Sequence, residues 1–158
     1  MADATGYPAR YDAWQSLPAV LFDKAAELGD KPLFRARQGD DWRPLSWRQV
    51  RDDVSALSRG LRDLGVAPGD RVALIAENRP EWAIADLAIM AARGLTAPAY
   101  TTNTVDDHVH ILTDSGAKVV IVSTAKLAER VVAAAQKVDH VRAVIAIEDI
   151  PAADGGEV

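Results

Sequence analysis

RVALIAENRPEWAIADLAIMAARGLTAPAY, residues 71–100, reads as a strand, a corner, a helix and a second strand. RVALIA and LTAPAY are short apolar runs without polar alternation, the pattern of strands covered on both faces, and the segment between them is long enough for a crossover. In the corner, Asn78 suits a helix cap and Pro80 suits a first helical turn, where its missing N–H would have no helical partner. From Trp82 to Ala92 only Asp86 is polar, so this helix is expected to be buried on nearly every face. KVVIVS (118–123) and RAVIAI (142–147) repeat the strand character after further helical segments. The βαβαβαβ alternation predicts an α/β fold, a mostly parallel sheet with helices on both faces joined by right-handed crossovers.

Upstream, the rhythm differs. Ser16 can cap a helix with Pro18 in its first turn, carrying Leu17, Val20, Leu21, Ala25 and Leu28 before Gly29 stops it. KPLFRAR and WRPLS flank QGDD and read as a short hairpin, with Pro44 confining its strand to an edge. SWRQ (46–49) is a capping box for a helix whose apolar face is Val50, Val54, Leu57, Leu61 and Leu64, ended by Gly65. The organisation expected is a leader over 1–15, a helix plus hairpin over 16–45, an α/β layered segment over 46–150 and a tail over 151–158.

The 158 residues are 49% hydrophobic, which suits one compact unit. A net charge of −5, with charges of both signs mixed along the chain, disfavours nucleic acid and anionic lipid as partners. The absence of cysteine removes disulfides, thiolate metal sites and thiol nucleophiles together and suits the cytoplasm. The start lacks the basic and apolar parts of a secretory signal, and no apolar run approaches the roughly 20 residues of a transmembrane segment.

LGVAPGDRV (64–72), ENRPEWAIADLAI (77–89) and DSGAKVVIV (114–122), in that order and spacing, resemble the N-terminal part of the AMP-forming acyl-CoA synthetases, in particular the long-chain fatty acid branch of the adenylate-forming superfamily. The resemblance runs from about Pro18 to Ile147. It implies part of a larger N-terminal domain that would cover the apolar helix at 82–92. It also implies a parent enzyme that uses ATP, Mg2+ and coenzyme A to make an acyl adenylate and then an acyl-CoA, with a fatty acid as substrate and the remainder of the synthetase chain as partner. The family's phosphate loop, acidic metal-binding segment and C-terminal lysine have no counterpart here, so the segment is expected to be inactive alone, with no catalytic, cofactor or metal residue of its own.

Ligands of open parallel sheets lie beyond the carboxyl ends of the strands, which here carry Glu77 and Asn78, Tyr100 to Thr102, and Ser123 and Thr124. All have a structural reading as turn or cap residues, with Thr104 and Thr124 capping the next helices. Tyr100, Thr101 and Thr102 are the preferred substrate-binding candidates, as a wall of a substrate or coenzyme channel, because their phenol and hydroxyls exceed what one cap requires. The turn AENRPEW has no glycine to admit a pyrophosphate, which disfavours a dinucleotide site. His108 and His110 stand two apart and so do not share a helix face as metal ligands would; a solvated pair is expected. Trp82 is expected to be a core tryptophan, costing about 3–5 kcal/mol on truncation. Two other readings remain open: a stand-alone flavodoxin-like binding module, and an interaction module or homo-oligomer meeting a partner through the apolar helix or the hairpin.

Overall fold

The computed structural model describes residues 14–149; the leader and tail expected from the sequence lie almost wholly outside them. Two compact units are formed, one up to Asp53 and one from Val54, where length alone suggested a single unit.

The first unit begins with α1 (Leu17–Leu28), whose Ser16 hydroxyl accepts from the Ala19 N–H at 3.3 Å and whose Leu21 and Ala25 are buried. The strands β1 (Pro32–Gln38) and β2 (Asp41–Ser46) form the expected antiparallel hairpin, with Gly39 at φ +63° in the turn. Helix α2 (Trp47–Asp63) opens on a reciprocal capping box: Ser46 N–H donates to Gln49 Oε1 at 2.9 Å, and Gln49 N–H to Ser46 Oγ at 3.2 Å.

In the second unit, α2 ends where Gly65 adopts φ +83° and the Val66 N–H reaches back to the Leu61 carbonyl, a Schellman-type stop. Leu64 belongs to that last turn and is 41% exposed, so it does not extend the apolar face as its spacing suggested. There follow β3 (Arg71–Ile75), α3 (Pro80–Ala91), β4 (Leu95–Pro98), α4 (Val105–Ser115), β5 (Val119–Val122), α5 (Ala125–Ala135) and β6 (Ala143–Ala146). The four strands are parallel in the order β4-β3-β5-β6.

Alternate residues of the central strands feed two cores. Val72, Leu74, Val119 and Ile121 pack with Leu61 of α2 and Ala85 and Ile89 of α3. Ala73, Ile75, Val120 and Val122 pack with Leu112 of α4 and Leu127, Ala128 and Val131 of α5. The apolar runs are thus covered on both faces at β3 and β5, while β4 and β6 are edges with part of their surface in solvent. No residue of α3 is exposed; Ile84, Ala85, Ala88 and Ile89 are buried and the opposite side, including Asp86, Leu87 and Met90, is half-buried. Asp86 is accommodated there by the Thr96 hydroxyl, which donates to its Oδ1 at 2.6 Å. Gly94 makes the turn out of α3 possible, because a side chain there would come within 3.2 Å of the Asp70 carbonyl oxygen.

Candidate functional site

The strand order is that of a flavodoxin-like sheet: the chain steps from β3 to β4 on one side and then crosses back to β5 on the other, which puts a switch point between β3 and β5. Side-chain hydrogen bonds span that point. The Ser123 hydroxyl, fully buried at the end of β5, donates to Glu77 Oε2 at 2.5 Å. Arg79 spans the same end, donating to Glu148 Oε1 at 2.7 Å and to Glu81 Oε2 at 2.9 Å. The Ser123 hydrogen bond holds the Glu77 carboxyl below its ordinary value, against an opposing push from partial burial and with help from Arg79, so Glu77 is an anion at neutral pH.

The open space lies one strand over, beyond the ends of β3 and β4, as a cleft of about 550 Å3. One wall is Ala76, Glu77 and Asn78, the other Pro98 to Thr101, and the Trp82 indole lines it from the first turn of α3. Asn78 is free to face the cleft because it is not the helix cap. Pro80 occupies the first helical position, so the cap falls on Arg79 with extended φ −144° and ψ 158°, the conformation a residue before proline prefers, and no side chain closes it. The sequence reading placed the cap one residue too early.

Of the three wall candidates, Tyr100 and Thr101 line the cleft; Tyr100 is 80% exposed, and Thr102 is exposed without lining it. Behind them Thr104 caps α4 in a reciprocal box with Asp107, and Thr124 caps α5, as their positions suggested. The Tyr100–Asn103 turn is held by one side chain that sequence reasoning missed: Arg130 of α5 donates from Nη1 to the Asn103 carbonyl at 3.0 Å and from Nη2 to the Thr101 carbonyl at 3.3 Å. No sequence signal marks a partnership between a guanidinium and backbone carbonyls on another element.

The histidines do not form a solvated pair. His110 is exposed, but His108 is wholly buried, and neither of its ring nitrogens has a partner in the protein. Position 108 lies on the α4 stripe that carries Val105, Val109 and Leu112 inward, a spacing visible in the sequence. No group of three His, Cys, Asp or Glu side chains able to hold a metal occurs among the described residues. Among the described residues the cleft lining holds one carboxylate, no cation and no glycine, which does not fit a magnesium-bound triphosphate.

Trp82 is half-buried, packing partly on the core of Leu74 and Ile89 while exposing its remainder to the cleft. Trp82→Ala is therefore expected to cost about 1–2 kcal/mol, below the full-core figure. Urea unfolding measures it: no loss would place the indole outside the packed surface, and a full-core loss would take it out of the cleft.

A family model described as AMP-binding enzyme matches residues 21–158. The chain is 30% identical over 132 residues to the long-chain-fatty-acid–CoA ligase FadD15 of Mycobacterium tuberculosis, an alignment covering 84% of this chain and 22% of that protein. It is 27% identical over 139 residues to the long-chain-fatty-acid–CoA ligase ACSBG2 of Xenopus laevis, covering 85% of this chain and 19% of the relative. A crystal structure from Rhodopseudomonas palustris, named as a long-chain-fatty-acid CoA ligase, superposes with a TM-score of 0.76 at 25% identity, covering 85% of this chain and 33% of that one. The chain thus spans about a fifth of the length of these curated relatives.

Proposed function

Because this chain belongs to the AMP-binding enzyme family, we propose that it is the N-terminal portion of a cytoplasmic, ATP-dependent long-chain fatty acid–CoA ligase, in which it serves as scaffold and as one wall of a ligand channel. The parent reaction joins a fatty acid to ATP, giving acyl-AMP and pyrophosphate, and then passes the acyl group to coenzyme A with release of AMP. Adenylation supplies the leaving group a carboxylate lacks, and the charge developing on the phosphates needs a metal and hydrogen-bond donors. Those groups are assigned to the rest of the parent chain.

The observation that carries the reading is the match of a single family over nearly the whole chain, with the expected α/β layering beneath it. The cleft narrows the part this segment plays. Among the described residues Glu77 is the only charged group lining it and is anionic, so the triphosphate and the substrate carboxylate are repelled, whereas Trp82, Pro98, Ala99 and the hydroxyls of Tyr100 and Thr101 suit an apolar chain or the neutral amide arm of the coenzyme.

The intact mass of the protein isolated from its native source tests this first. A mass several times 17.0 kDa, with acid-dependent ATP–pyrophosphate exchange in that larger protein, is the expected result. The 158-residue chain by itself is expected to give no saturable heat with ATP at micromolar concentrations. Saturable binding to this chain would overturn the assignment of nucleotide chemistry to the remainder. A native mass of 17.0 kDa would instead favour the flavodoxin-like binding module, the reading that the strand order supports.

A further inference from the structure

The Tyr100–Asn103 turn has one feature that helix capping does not explain. Its first hydrogen bond is weak, Asn103 N–H to the Tyr100 carbonyl at 3.3 Å, and Thr104 and Asp107 are occupied with each other at the start of α4. Two of the turn's carbonyls, those of Thr101 and Asn103, are both taken by Arg130. A guanidinium is a planar fork whose donors have fixed separation, so holding two carbonyls at once sets the orientation of the peptide planes between them, not only their distance. Those planes carry the Thr101 side chain that lines the cleft. Arg130 is half-buried on α5, and the buried His108 lies close enough to feel its charge. The two hydrogen bonds from Arg130 to the turn are themselves part-buried, which strengthens them relative to an exposed contact.

We propose that Arg130 is a positioning residue for the ligand wall: through the Thr101 and Asn103 carbonyls it aims the Tyr100–Thr101 surface into the cleft, and so governs how tightly the parent enzyme holds the ligand lying there. This rests on the proposed role of the cleft as a ligand wall. Arg130 touches no reacting atom, so its loss should weaken binding rather than slow chemistry.

The test uses the synthetase that carries this segment, as wild type, Arg130→Ala and Arg130→Lys, with two readouts. Amide hydrogen exchange over 100–104 reports the turn whether or not a ligand visits it. Steady-state kinetics with palmitate, ATP and coenzyme A report binding. Arg130→Ala is expected to speed exchange in the turn and to raise KM for palmitate or for coenzyme A by about tenfold, with KM for ATP and kcat within about twofold. Arg130→Lys keeps the charge but not the fork, and should recover part of the KM while leaving exchange between the two extremes; it carries the test if the alanine variant fails to fold. Unchanged exchange in both variants would overturn Arg130 as the holder of the turn. Faster exchange with every KM unchanged would overturn the cleft as a ligand wall. A fall in kcat with no KM change would overturn the positioning role in favour of one in chemistry.

Discussion

Ile121→Ala is expected to lower the unfolding free energy of the second unit by about 2–5 kcal/mol, measured as a fall in the urea midpoint by far-ultraviolet circular dichroism. Ile121 sits on β5, one of the two strands with a hydrogen-bonded neighbour on each side, in register with Leu74 of β3 and Ile145 of β6. It is 1% exposed and belongs to the core formed with Leu61, Val66, Leu74 and Ile89. Three elements thus converge on its side chain: α2, α3 and the sheet. Truncation removes apolar area and leaves a cavity whose walls are held by backbone ladders on both sides, so they cannot close over it, and the cost should fall in the upper half of that range. Leu95→Ala is the matched control, an equally large side chain on the edge strand β4 that is 56% exposed; its cost should stay within about 0.5 kcal/mol. Equal losses at both positions would contradict the assignment of β5 to the centre of the sheet and β4 to its edge.

That contrast shows where the sequence was informative. The four strands could be read because their apolar runs are local and uninterrupted, and the caps Ser16, Ser46, Thr104 and Thr124 because each bonds a backbone N–H only three residues ahead. The order β4-β3-β5-β6 could not be read, since nothing in a run of valines says which strand it will lie beside. Asn78 was misread because cap preference was weighed without the stronger constraint that Pro80 places on the residue before it. Tyr100 and Thr101 could be reached from the rule about strand ends, but the cleft they share with Trp82 comes from the meeting of β3, α3 and β4. The Arg130 clasp lay beyond reach for the same reason: its partners are main-chain atoms on a distant loop.

Mild acid should weaken the fold, and His108 should be the cause. Its imidazole is fully buried with both nitrogens unpartnered. Burial first, and then the nearby charge of Arg130, push its pKa below the ordinary 6.5, with Asp107 opposing in part. The folded protein therefore holds a neutral ring at pH values where the unfolded chain has already taken up a proton. The unfolded state binds more protons in that window, so the stability present above pH 6.5 is lost progressively as the pH falls below it. For one such group the slope is at most about 1.4 kcal/mol per pH unit. Glu77, Asp70 and Asp107 also titrate below their ordinary values, but those values are 4.5 and 3.8, so their losses begin at lower pH than that of His108. Urea midpoints at pH values of about 7.5, 6.5 and 5.5, for wild type and His108→Leu, measure the effect. Leucine fills the slot without a titrating or unsatisfied polar atom, so the variant should be at least as stable at pH 7.5 and should lose much of the acid slope. An undiminished slope in the leucine variant would overturn His108 as the source of the acid sensitivity.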